Sequence, residues 1–143
     1  MNLPLDDKIA IVTGSSRGLG LASAAALAAE GCRVCLCARG EEALRDAASR
    51  LPGAGEGRIL AVAADLATPS GVQTVVDATV AAFGGLDILV NNVGLAGGAG
   101  LTGTSDETWQ EAFDQTLFPA IRASRLAVPH LRRRGGGAIV MIA

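Results

Sequence analysis

Residues 8–31 read KIAIVTGSSRGLGLASAAALAAEG, and their reading decides the fold. Lys8–Thr13 is a short apolar run, which predicts a buried strand. Thr13–Gly20 (TGSSRGLG) places Gly14, Gly18 and Gly20 directly behind it. Gly18–Glu30 is rich in Ala and Leu and predicts a helix stopped by Gly31. Glycines between a strand and a helix let the chain turn sharply, let backbone approach a pyrophosphate and let the helix pack close to the strand. The helix N-terminus then offers free N–H groups and a positive dipole end to phosphate oxygens. An ordinary tight turn is the alternative, because a Gly-rich stretch alone is a weak signal.

The same alternation continues outward. Arg33–Ala38 predicts a second strand, and Glu41–Leu51 a helix ended by Pro52-Gly53. Gly53–Gly57 is a turn and Arg58–Ala64 a third strand. Ser70–Phe83 predicts a helix capped by Ser70 and ended by Gly84-Gly85. Leu86–Asn91 predicts a fourth strand, followed by a flexible loop, Val93–Gly103, holding five glycines. Thr104-x-x-Glu107 has the form of a capping box for a long helix to about Arg134. Pro119 and Pro129 predict that this helix is kinked or split. After a Gly135–Gly137 turn, Ala138–Ala143 starts a fifth strand. Continuous apolar strands separated by helices imply a parallel sheet covered on both faces. Right-handed crossovers make that an α/β doubly wound parallel sheet of the Rossmann type. With about five strands where the two-half fold has six, it is expected to be one nucleotide-binding domain over residues 1–143, incomplete at its C-terminal end.

Composition agrees. A chain of 143 residues holds one domain. It can bury roughly 68–70% of its unfolded surface. Half the residues are apolar and 18% are charged, which argues against disorder. The apolar content is mostly small: 27 Ala, with Phe83, Trp109, Phe113 and Phe118 the whole aromatic set. A net charge of −2 argues against a nucleic-acid binder, and Arg132-Arg133-Arg134 reads as a solvated helix end. No signal peptide or membrane-length apolar run is visible, so a soluble cytoplasmic protein that avoids membranes is expected. Cys32, Cys35 and Cys37 have a C-x2-C-x-C spacing that suggests a metal, yet no fourth ligand is evident and His130 is distant. Buried strand thiols, with Cys35 and Cys37 on one face, are the favoured reading, so no metal is expected.

Thr13–Gly20, with its T-G-x-x-x-G-x-G spacing, resembles the short-chain dehydrogenases/reductases. Asp65 in A-D-L after the third strand is similar to the family's Asp beside the adenine. Asn91-Asn92-Val93-Gly94 resembles the family's N-N-A-G, with Val for Ala, and Trp109–Ala143 resembles its long interface helix and fifth strand. The resemblance covers essentially the whole chain. It implies a nicotinamide dinucleotide held by Gly14, Ser16, Arg17, Gly18, Leu19 and Gly20, by Arg39, by Asp65 and Leu66, and by Asn91, Val93 and Gly94. An acidic residue at the end of the second strand would bind the ribose hydroxyls of NAD. Ala38-Arg39 stands there instead, and Arg17 lies in the turn. These two cations suit a 2′-phosphate, so NADP(H) is expected ahead of NAD. Both being simply solvated is the alternative.

The resemblance also implies hydride transfer between the nicotinamide and an alcohol or carbonyl. Relatives use a Tyr as acid/base, a Lys four residues on, a Ser, and an Asn on the long helix. The 143 residues contain no Tyr. The Ser, Tyr and Lys positions would fall after Ala143, so this sequence is expected to be a truncated, non-catalytic part of such an oxidoreductase. Thr116 falls at the Asn position, with helix back-bonding as its alternative role. Non-enzymatic alternatives are a dinucleotide-binding module and an assembly module that completes its sheet with another chain. In relatives the long helix pairs with a second copy, so a homo-oligomer through 105–134 is expected. Leu117, Phe118, Ile121, Leu126 and Leu131 could form that face or an internal core.

Overall fold

The computed structural model describes residues 4–94 and 97–143. The readings of Met1–Lys8 and Val93–Gly103 therefore lie partly outside the described residues. The elements are β1 (Ile9–Thr13), α1 (Gly18–Ala29), β2 (Arg33–Ala38), α2 (Glu41–Ser49), β3 (Ile59–Ala63), α3 (Pro69–Phe83), β4 (Ile88–Asn91), α4 (Asp106–Arg133) and β5 (Ala138–Met141). A single 3-10 turn, Ala54–Glu56, occupies the Gly53–Gly57 segment. All strand pairings are parallel, in the order β3-β2-β1-β4-β5. This is the expected α/β doubly wound sheet.

Strand parity decides which helices each side chain meets. Ile9 and Ile11 of β1, with Cys35, Cys37 and Leu89, pack toward Val72, Val75 and Val76 of α3 and Ala123, Ala127 and Leu131 of α4. Val12, Val34, Leu36 and Val90 face the opposite way, toward Ala24 and Ala28 of α1 and Leu44 of α2. Alanines on α1 and α4 let these helices lie close to the sheet, which is how a core with few large side chains fills its space. The cysteines divide between the two sides: Cys32 lies with α1, while Cys35 and Cys37 lie with α3 and α4. Their thiols are directed at backbone carbonyls of Leu5, Leu36 and Val12 respectively. Burial pushes the Cys35 thiol up to about 12, so it is protonated and unreactive at neutral pH.

Several sequence expectations change. The cap of α3 is Thr68, not Ser70: its Oγ1 accepts from Gly71 N at 3.1 Å, and Pro69 takes the first helical position. Proline's fixed φ suits that position, where its missing N–H costs nothing. The cap of α4 is Ser105, whose Oγ accepts from Thr108 N at 3.3 Å. Thr104 instead donates to Gly100 O and accepts from Ala99 N, closing the preceding loop. Helix α4 runs unbroken for 28 residues through Pro119 and Pro129. An internal proline costs about 3 kcal/mol. Burial of Ala120, Ala123, Ala127 and Leu131 along one face offsets that strain. Of the five residues expected at a pairing face, Leu131 is buried and Leu126 packs on the core. Phe118 is half-buried beneath Arg122, and Leu117 and Ile121 are exposed.

Candidate functional site

In a doubly wound sheet the chain leaves neighbouring strands in opposite directions, and a crevice opens at the carboxyl ends where they part. Here the parting lies between β1 and β4, with β2 and β3 beside them. A cavity of about 670 Å³ opens there. It is lined by Gly14, Ser16, Arg17 and Gly18 after β1, and by Ala38, Arg39, Gly40 and Ala43 after β2. Ala64–Ala67 after β3, Asn92–Gly94 after β4 and Gln115 of α4 complete it. The loops are therefore brought together from four segments far apart in sequence.

The turn after β1 is built for close approach. Gly14 and Gly18 adopt φ of +60° and +58°, the left-handed region that favours glycine. Helix α1 then starts with Arg17 as N-cap, no side-chain cap and no acidic residue in its first turn. Its first N–H groups are open to an anion. Among the described residues, no atom outside its chain neighbours and its own helix backbone lies within 4 Å of where a Gly18 side chain would begin, so this cradle has room for a ligand. Gly20 has a different task. A Cβ there would collide with the Gly14 carbonyl oxygen and lie 2.5 Å from Asn92 Nδ2. Gly20→Ala is therefore expected to cost about 1–3 kcal/mol by overpacking. A lowered urea midpoint with unchanged slope is the check.

Polar contacts join the turn to β4. Asn92 Nδ2 donates to the carbonyls of Thr13 (3.1 Å) and Gly14 (3.0 Å). Thr13 Oγ1 accepts from Asn92 N at 2.8 Å and Val93 N at 3.1 Å. Behind them, buried Ser15 donates to Val12 O at 2.6 Å and accepts from Cys37 N at 3.0 Å. Asn92, Thr13 and Ser15 thus hold the cradle's shape, though the sequence reading did not assign them to the site. The Asn-Asn pair was the available signal. Nothing in the sequence marked Gln115, which reaches the cleft from a helix that begins fifteen residues after Asn91.

Arg17 and Arg39 are exposed at the cleft, and among the described residues neither forms an ion pair. Asp65 lines the cleft and its Oδ1 accepts from Ala67 N at 3.0 Å. Leu66 also lines it, with its side chain buried against the α3 side of the sheet.

Three assigned residues are not among those lining the cleft, although Leu19 and Gly20 belong to the first turn of α1. Leu19 points to solvent, 69% exposed, and Gly20 is buried under the turn. Asn91 is turned away from the cleft: its Nδ2 donates to Ser124 Oγ and is 3.2 Å from Met141 Sδ. Period-two alternation along β4 sends Asn91 to the α4 side and leaves Asn92 for the turn. Thr116 stands beside the cleft, its methyl carbon 3.7 Å from where a Gly94 side chain would begin. No helix among the described residues is long and apolar enough to cross a membrane.

Comparison with known proteins adds a family to this geometry. The profile of the family described as short chain dehydrogenase matches residues 8–143. The dehydrogenase/reductase SDR family member 4 of Caenorhabditis elegans is 32% identical over 136 residues, covering 94% of this chain and 52% of that protein. A reductase of Mycobacterium tuberculosis that acts on a hydroxy-methyl-oxo-hexahydroindene-carboxyl-CoA is 33% identical over 138 residues, covering 96% and 53%. The crystal structure of L-sorbose reductase from Gluconobacter frateurii, complexed with NADPH and L-sorbose, superposes with a TM-score of 0.90 at 42% identity. It covers 99% of this chain and 54% of that one. The chain spans about half the length of these relatives.

Proposed function

The chain belongs to the short-chain dehydrogenase family, and from that premise we propose that it binds NADP(H) in the cleft at the carboxyl ends of β1–β4. It acts as the dinucleotide-binding part of an oxidoreductase working on an alcohol or carbonyl. One observation carries this reading: the uncapped, acid-free start of α1 opens on a cleft that also holds Arg17 and Arg39, neither of which forms an ion pair among the described residues. Gly14, Ser16 and Gly18 would hold the pyrophosphate. Arg17 and Arg39 would hold a 2′-phosphate, which repels an acidic residue and attracts a guanidinium fork. Asp65 and Leu66 would flank the adenine, and Val93 and Gly94 would leave room for the rest of the dinucleotide. The NADPH bound to the similar L-sorbose reductase supports the choice of cofactor. NAD is the weaker ligand on this reading.

When bound, the nicotinamide supplies the hydride. This chain supplies no Tyr to move the matching proton, and Thr116 supplies only a hydroxyl beside Gly94. The 143-residue chain is therefore expected to bind cofactor and to turn nothing over. Trp109, Phe113, Leu117 and Ile121, four residues apart, form an exposed apolar stripe on α4, with the Trp109 and Phe113 rings 6.1 Å apart. Residues at this spacing share one helix face, and we propose that this face pairs with a second copy. A second reading, assembly through the sheet edge, is favoured by β5, where Ile139, Val140 and Met141 are all exposed.

Fluorescence titration of the chain with NADPH tests the main reading. Saturable binding, with no NADPH consumption across a panel of ketones and aldehydes, is the expected result. Failure to bind NADPH at millimolar concentration would overturn it.

A further inference from the structure

Arg122 lies on α4, 55 residues after the β3–α3 loop, yet its Nη1 donates to the carbonyl of Ala67 at 3.0 Å. Its guanidinium also sits over the Phe118 ring, 5.1 Å from the centroid, so stacking limits where the fork can swing. Ala67 is the residue whose N–H is bonded by Asp65 Oδ1. The Asp65 carbonyl in turn accepts from Thr68 N and Thr68 Oγ1. The Asp65–Thr68 turn is thus closed on itself, and Arg122 ties it to α4 from outside. Asp65 lines the cleft and its Oδ1 is engaged by Ala67 N; a carboxylate has a second oxygen that can accept.

We infer that Arg122 is a positioning residue: through the Ala67 carbonyl it sets where the Asp65 carboxylate stands, and so makes the cleft prefer a purine bearing an exocyclic amino group. This rests on the proposed cofactor reading. A carboxylate oxygen accepts from an amino group and repels an oxo group, so adenine is favoured over hypoxanthine while the carboxylate is held in place. Without the tie, the exposed turn moves more freely and the preference fades.

The experiment measures the dissociation constants of NADPH and of its hypoxanthine analogue on the full 143-residue chain. The wild type is expected to favour NADPH by roughly tenfold, the size of one charge-assisted hydrogen bond. In Arg122→Leu the ratio is expected to fall below about threefold. Arg122→Gln, which keeps much of the stem over Phe118 but loses the reach, should behave the same and carries the test if the Leu variant does not fold. Arg122→Lys keeps a donor and should restore most of the preference. A merely structural Arg122 would lower both affinities together and leave the ratio unchanged, and that result overturns the inference. So does a wild type without preference. A wild type that binds neither dinucleotide sinks the cofactor reading, and the inference with it; binding with an unmoved ratio sinks the inference alone.

Discussion

Replacing Arg17 and Arg39 together by serine is expected to weaken NADPH binding roughly a hundredfold while changing NADH binding by less than about threefold. Both guanidinium groups stand at the cleft, after β1 and after β2, and among the described residues no carboxylate pairs with either. A charge-assisted hydrogen bond contributes about 1.5–3 kcal/mol, or roughly tenfold or more in affinity. Because both side chains are exposed, screening by salt keeps each contribution near the lower end of that range. Raising salt should then narrow the gap between wild type and variant. Titrations with both dinucleotides at two ionic strengths measure all of this. Equal losses for NADPH and NADH would mean that these arginines meet the shared pyrophosphate and not a 2′-phosphate.

Asp87→Ala is expected to destabilise the fold by about 2–3 kcal/mol and to lower Tm by roughly 6–10 °C. Asp87 is buried at the opposite end of the sheet from the cleft, where β1, β4 and the end of α4 meet. Its Oδ2 accepts from Ile9 N at 2.9 Å, and Arg134 donates to Oδ1 through Nε (3.1 Å) and to Oδ2 through Nη2 (3.2 Å). Removing the carboxylate strands a buried backbone N–H and frees the arginine. The loss stays at or below the bottom of the range for broken buried pairs, about 3–5 kcal/mol, because the Arg134 side chain is 41% exposed.

The same carboxylate predicts a pH dependence. Burial alone would push it up, but hydrogen bonds from Arg134 and Ile9 N, with the charges of Arg134 and Lys8, hold it below the usual carboxylate range. The folded state therefore releases this proton more readily than the unfolded chain does. Its stabilisation is fully present above the unfolded value of about 4 and is lost as pH falls through the lower folded value. Urea unfolding from pH 3 to 7 checks the sign. The difference in stability between wild type and Asp87→Asn should be constant above about pH 5 and shrink below about pH 4. A difference that grows on acidification would contradict the assignment.

The strand–turn–helix of residues 8–31 and the alternation that follows were legible because they are local. A run such as KIAIVT favours burial on both faces, and glycines at that spacing let the chain turn sharply and let backbone and helix approach closely. Errors at helix starts came from nearby Ser and Thr residues that can each serve as a cap. Between Thr68 and Ser70, Pro69 decided, since proline belongs just inside a helix. The prolines of α4 misled for the opposite reason: their cost is local, while the packing that offsets it comes from the sheet and α3.

Fold class, strand succession, the glycine cradle and the two cleft arginines were therefore determined by the sequence itself, because each depends on residues close together along the chain. Only the tertiary structure decided which of the two asparagines reaches the cradle, that Gln115 enters the cleft, that Leu131 turns inward while Leu117 and Ile121 stay exposed, and that Arg122 meets Ala67. Those outcomes depend on strand parity and on how α4 is rotated against the sheet. One residue of register or a fraction of a helical turn moves a side chain to the other face, and no short window of sequence records it.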